Sequence, residues 1–460
     1  MLTWRRALAI TILTVLLLGA GTASVVLHNG AAASPLLYRV PLGPNPASIA
    51  LDERTGVAFV ADNNGVSVVD VHHGSLLRHI SDVTPGHTAI AVAPRAGHAF
   101  VVGPDAATLS MLDARDGRLL RTIAVHRDSY GVPDETLQSV AVDDLHGRVV
   151  VVGYGADTLV SVLDSHSGAV LHTVAMPGSA DGAAVDTVRQ RAFVLVFDSL
   201  GGSTINAIDT RGGALLRTVA LGAPNATPPV LSIAADDRSG LIVVDDMRGN
   251  VRAFDDRTLH LVFNVNVGPL PGILAIDPRH GYLLASSPIS DSISVLDPRR
   301  GALLRRMSLA AGPPSGAASG VGANPVAAIM AYATVARGGP QALTVDDLTD
   351  HVLLTRTHYF YNPSDYRPLL DGGSVMMLDV TTGATIRSVP AGVNPVAVAV
   401  DHANGRLVVV DAGGVTLTHD PDPWGWTPDW LRRPLPWLPK PASHVGGVSP
   451  ALDVIDLGQR

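Results

Sequence analysis

Eight short segments of this chain end in aspartate after an apolar or alternating run. They are VSVVD (66–70), LSMLD (109–113), VSVLD (160–164), INAID (205–209), VRAFD (251–255), ISVLD (293–297), VMMLD (375–379) and LDVID (452–456). A motif that returns this often limits the possible folds more than any local propensity does, because each repeat must bury its apolar face against its own copies. A related element precedes each copy: SIALD (48–52), SVAVD (139–143), GAAVD (182–186), ILAID (273–277), ALTVD (342–346) and AVAVD (397–401), with weaker forms AIAVA (89–93) and SIAAD (232–236). Purely apolar runs such as VAFV, VVVV and LVVV lie between the two, and variants of LLRTVAL follow, ending at residues 80, 125, 176, 221, 267, 310 and 391.

Every element is short, alternating or wholly apolar, and bounded by Gly, Pro, Asp or Asn, which is how strands read. The period of about 42–50 residues with four strands in each predicts propeller blades. No segment of the body carries a 3.6-residue apolar period, so a helical solenoid is excluded.

The succession of a Pro-containing lead, VAVD, G, VFVA, VSVVD, G and LLRTI resembles the YVTN family of β-propeller repeats. The best matches are GPNPASIALDERTGVAFVADNNGVSVVDVHHGSLLRHI (43–80) and GVNPVAVAVDHANGRLVVVDAG (392–413), and the resemblance covers nearly all of residues 36–460. The literal YVTN tetrapeptide is absent, with FVAD and FVVG in its place. The resemblance implies an all-β propeller and little about function, since such propellers serve many roles.

Eight first strands and eight third strands predict an eight-bladed β-propeller. Seven blades are the alternative, with the weak fifth repeat (229–268) absorbed elsewhere. LLYRVPLG (36–43) reads as a fourth strand without partners, and the last repeat ends at LDVIDLGQR without one. Joining them closes the ring and protects edges that would otherwise template aggregation. VTLTH (415–419) competes for the third-strand place in the last blade. LDVID is preferred, because its Asp matches the other seven and the spare strand then has a home.

In a propeller the turns joining strands one to two and three to four share one face. Here they are uniform, as in DERTG, DPRHG, DVHHG and DARDG, with Asp and Gly where tight turns need them. Asp52, Asp143, Asp186, Asp236, Asp277, Asp346 and Asp401 recur in one column and are read as turn acceptors rather than a cation ring. His72, His73, His146, His166, His280 and His402 are read as filling exposed turns of the same face. The first-strand column is Ala at 50, 91, 141, 184, 234, 275 and 399 and Thr at 344, which offers no polar ring for a cofactor.

Three insertions, 311–339, 356–373 and 412–450, fall on the other face and should be neighbours in space. Insertions of this length inside a compact domain are usually functional or disordered. The second and third hold Tyr359, Phe360, Tyr361, Tyr366, Trp424, Trp426, Trp430, Arg432, Arg433 and Trp437. Four of the five tryptophans thus fall within residues 423–437 of a chain that is only 4% aromatic. Such residues are those of an interface hot spot, while the plainer reading is a self-packed cap.

Residues 1–27 have a basic start, Arg5 and Arg6, and an apolar run at 7–27, so they are read as a signal peptide or a single membrane anchor. Residues 28–35 are a linker, and the propeller begins at 36. An anchor, if retained, would turn the uniform face toward the membrane. The absence of cysteine rules out disulfides and thiolate chemistry, and a net charge of −8 with Lys440 as the only lysine argues against nucleic acid. No nucleophile elbow, zinc helix, dinucleotide fingerprint or Walker lysine is present.

The reading is therefore an exported binding or scaffold module, extracellular or membrane-anchored. Its partner would be a protein or another cell-envelope ligand, the membrane being touched only through the N-terminal segment. No metal, cofactor or catalytic residue is assigned. The competing reading is a propeller enzyme (a lyase, a lactonase or a cofactor-dependent oxidoreductase) using the channel mouth, with His358, His419 or His444 as its candidates.

Overall fold

The computed structural model describes residues 35–457 except 82, 84–88, 103–107, 126–135, 155–156, 198–201, 223–229, 269–270, 288–289, 310–339, 347, 362–367 and 420–442. At 136, 154, 181, 230–231, 340–341, 358–361, 368–371, 415–419 and 443–446 the backbone alone is described. The described residues form eight sheets, each built on a four-stranded antiparallel blade. Their first strands touch one another in a closed circle, the eighth meeting the first. This is an eight-bladed all-β propeller, and the fifth repeat is a full blade, Val230–Asn266.

The core is divided among the blade junctions. Eight apolar clusters are present, one between each pair of neighbouring blades, including the junction of blades eight and one. The strand period of two explains this. Ala58 and Val60 face blade eight, whereas Val57 and Phe59 face blade two, so an interior strand with both sides covered must be apolar throughout. The fourth strands are covered on one side only, and their leading pairs, such as Leu76–Leu77 and Leu215–Leu216, stay exposed on the outer wall.

Ring closure follows the sequence reading. The N-terminal strand Leu36–Pro41 pairs antiparallel with Ala451–Asp456, which pairs with Arg406–Asp411. LDVID is therefore the third strand of blade eight. VTLTH belongs to Gly414–His419, which pairs with Ser443–Val448 in a hairpin outside the blade.

The uniform face carries the seven inner-strand carboxylates, all between 0% and 6% exposed. Each accepts backbone N–H bonds from its own turn: Asp52 from Arg54 at 3.0 Å, Asp277 from Arg279 at 2.9 Å, Asp401 from Asn404 at 3.3 Å. Of the histidines of this face, His73 and His166 are exposed as expected, and the other four depart from that expectation. His72, His146, His280 and His402 are half-buried, and three of them bridge blades, His280 reaching Asp350 of blade seven at 3.7 Å. His72 Nε2 of blade one lies 3.2 Å from Asp401 of blade eight, and His402 Nδ1 of blade eight lies 3.0 Å from Glu53 of blade one. Asp401 is fully buried, and a carboxylate withdrawn from water needs polar neighbours, one of which the next blade supplies. Among the described residues, no helix is long and apolar enough to cross a membrane.

Candidate functional site

The regular blade ends its second strand near the loop-rich face. In blade seven that strand continues, so His351–Tyr361 runs against Pro368–Asp379 as one long hairpin. The segment read as a loop at 356–373 is thus largely paired β-structure. Tyr359, Phe360 and Tyr361 stand opposite Leu370, Leu369 and Pro368. The blade-eight insertion contributes the hairpin Gly414–His419/Ser443–Val448, and Leu370 pairs in parallel with Thr416. The two insertions therefore belong to one sheet, as their expected proximity requires. Backbone bonds of this kind place few demands on side chains, which is why the alternating pattern of the blades does not extend into them.

Tyr366, Trp424, Trp426, Trp430, Arg432, Arg433 and Trp437 lie outside the described residues, as does the insertion 311–339. His419 and His444 sit on paired strands, His444 opposite Thr418 and His419 opposite Ser443. His358 lies in the blade-seven extension.

Beneath the joined insertions a row of polar side chains crosses blade eight. Thr357, at the base of the long hairpin, donates to Asn394 Oδ1 at 3.1 Å. The Asn394 backbone N–H donates to Asp411 Oδ1 at 2.8 Å. Arg39 on the closing strand then donates to Asp411 Oδ2 at 2.6 Å and to Asp453 Oδ2 at 3.1 Å. Asp411 and Asp453 are 0% and 1% exposed, whereas the Arg39 side chain is 37% exposed. Burial pushes the Asp453 carboxyl up to about 6, with Asp411 adding repulsion and Arg39 opposing both.

Glycine is required where this row meets the inter-blade connection. A Cβ on Gly392, at φ +56°, would lie 2.1 Å from Asp411 Oδ2. Gly43 stands in the same relation to Asp62 in blade one, at 2.3 Å. The shared G-x-N-P lead of these two repeats is thus a site where backbone meets a buried carboxylate.

The row was missed in the sequence, although a signal for it exists. The second residue of the third-strand motif is Ser67, Ser110, Ser161, Asn206, Arg252, Ser294, Met376 and Asp453 in blade order. Its partner on the fourth strand is a neutral hydroxyl in blades three and four, where Ser161 meets Thr173 at 2.9 Å and Asn206 meets Thr218 at 2.7 Å. Blade eight departs from this with an Asp–Arg pair.

Beside the row lies a cleft of about 480 Å³ between blades seven and eight. It runs along the closing strand, lined by Leu36, Arg39 and Asp453 on one side and Val389, Pro390 and Val393 on the other, and it reaches Val448 at the foot of the inserted hairpin. Another buried carboxylate stands apart from this row, in blade five. Asp245 accepts from Ser232 N and Oγ, and burial pushes it up to about 7, with Asp246 adding repulsion.

No model of a known protein family matches this sequence, and no curated protein does. Solved structures do share its architecture. The computationally designed Ika8 protein is 15% identical over 81% of this chain and 96% of its own, with a TM-score of 0.56. The dihydro-heme d1 dehydrogenase NirN is 14% identical over 77% of this chain and 67% of its own, with a TM-score of 0.54. Identities this low speak for the fold alone. The class they define with the geometry above is the eight-bladed β-propeller, here carrying a paired insertion over blades seven and eight.

Proposed function

We propose that this chain is an exported propeller of the YVTN type that acts as a recognition and scaffold module, holding a protein or other envelope ligand on the loop-rich face of blades seven and eight. The observation that carries this reading is the pairing of Leu370 with Thr416, which joins insertions from two blades into one sheet. Separate loops must be ordered when a partner binds. A shared sheet rooted in the row Thr357–Asn394–Asp411 is ordered beforehand, which lowers the entropic cost of association. The contact residues are Tyr359, Phe360, Tyr361, Tyr366, Trp424, Trp426, Trp430, Arg432, Arg433 and Trp437, the aromatic and guanidinium types that dominate binding hot spots. Residues 1–27 deliver the chain to the exterior, as a cleaved signal or as an anchor that turns the uniform face to the membrane and the platform away from it.

The test is affinity capture from the native envelope with two baits. One is residues 30–460, and the other is the same chain with 421–441 replaced by a short Gly/Ser turn, both verified as folded by circular dichroism. Partners lost only from the shortened bait support recognition through the tryptophan insertion. Identical sets, or none, refute it and leave the tryptophans as a packed cap.

A further inference from the structure

We propose that the cleft between blades seven and eight binds a primary ammonium group on an aliphatic stem, whether a free alkylamine or a lysine side chain, with the Asp453 carboxylate as its counter-ion. The charge balance favours a cation. Among the described residues, Arg39 is the one positive group paired with the two buried carboxylates Asp411 and Asp453, so the described row keeps one negative charge in excess. The two acids are not equivalent. Both Asp411 oxygens are engaged, by Arg39, by Asn394 N–H and by Gly413 N–H. Asp453 accepts from Arg39 at Oδ2 and has no hydrogen-bond partner at Oδ1 among the described residues, although the residue is 1% exposed and lines the cleft. A buried carboxylate oxygen without a donor costs free energy that a ligand's N–H recovers.

The shape of the site narrows the ligand. A single free oxygen suits a point-charge donor better than a guanidinium, whose fork needs two acceptors. It also falls well short of the six or more oxygens sought by a calcium ion. Leu36, Val389, Pro390 and Val393 form walls that suit a methylene stem, and about 480 Å³ lies within the range of small-ligand sites. Among the described residues, the charged groups around Asp453 are Arg39 on the closing strand and Asp411 on the second strand. Among the described residues lining the cleft, blade seven contributes no titratable side chain. A proton competes for the same oxygen, because burial pushes Asp453 up to about 6. Ammonium binding therefore strengthens as pH rises through that value.

Isothermal titration calorimetry on the purified chain tests this, with n-butylamine and Nα-acetyl-lysine methylamide as probes and n-butanol as the neutral isostere. Binding is expected at pH 8, about tenfold weaker at pH 5, where roughly a tenth of Asp453 is ionised. It should vanish in Asp453→Ser, which installs the residue that blades one, two, three and six carry in this column, with the melting curve confirming the fold. Entry of the lysine derivative assigns the site to protein side chains as well, and entry of n-butylamine alone assigns it to free amines. Absence of binding by both, equal binding of n-butanol, or unchanged binding in Asp453→Ser overturns the proposal. The site does not depend on the recognition platform. The chain with 421–441 replaced should bind the amine as well as the intact one, so failure of one reading leaves the other standing.

Discussion

Asp245 offers a clean test of how buried charge is tolerated between blades. It sits at the penultimate position of Leu241–Asp246, fully buried, with Oδ1 accepting from Ser232 N at 2.9 Å and Oγ at 3.0 Å and Oδ2 unpartnered. Burial raises its pKa from 3.8 to about 7, with the adjacent Asp246 adding repulsion. The folded protein thus holds this proton more tightly than the unfolded chain. The stability it contributes is fully present below pH 4 and is lost as pH rises through 7. The gap between 3.8 and about 7, at 1.36 kcal/mol per pH unit, corresponds to about 4 kcal/mol at the alkaline plateau. Asp245→Asn keeps the acceptor for Ser232 and abolishes ionisation, while its amide inherits the unpartnered position at a cost of about 1–2 kcal/mol. Urea unfolding of the two proteins should give near-equal stability, or a small deficit for the variant, at pH 5. At pH 8.5 the variant should be the more stable, the difference having moved in its favour by about 2–3 kcal/mol. A difference that stays flat across this window would refute the reasoning.

Other expectations concern the closure and the charged row. Arg39→Ala leaves two buried carboxylates facing one another and should lower stability by about 2–3 kcal/mol, read as a depressed melting temperature at pH 7.5 that recovers partly at pH 5 as Asp453 takes a proton. Gly392→Ala forces a Cβ into the space of Asp411 Oδ2 at a positive φ and should cost about 3 kcal/mol or more in denaturant unfolding, whereas Gly97→Ala, whose Cβ would meet nothing within 4 Å, should cost only its backbone strain of about 1 kcal/mol. Deleting residues 1–41 exposes the edge of Ala451–Asp456, so light scattering should show association or loss of a soluble monomer.

Much of the architecture was legible because each inference rested on a column. Eight third strands ending in Asp predicted eight blades, and the Asp of LDVID separated it from VTLTH. Closure was legible because a lone fourth strand at one end matched a missing one at the other. The paired insertion was not, because Tyr359–Tyr361 and Pro368–Leu370 are held by backbone bonds that leave no alternation to read. Nor were the histidine bridges, since His72 and Asp401, or His402 and Glu53, lie more than three hundred residues apart and meet only because the ring closes. The charged row lay in plain view as a departure: Asp453 is the one carboxylate in a third-strand column that holds Ser in four blades, and it faces Arg39 where Ser161 and Asn206 face Thr173 and Thr218.

Recognition, as proposed, falls on the joined insertions of blades seven and eight. Hydrogen–deuterium exchange of the chain, alone and bound to the partner captured by residues 30–460, measures this directly. Slowed exchange at 357–361, 368–373, 414–419 and 443–448, with the Asp-Gly turns of the uniform face unchanged, is the predicted result. Protection confined to those turns, or spread over blades two to four, would contradict it.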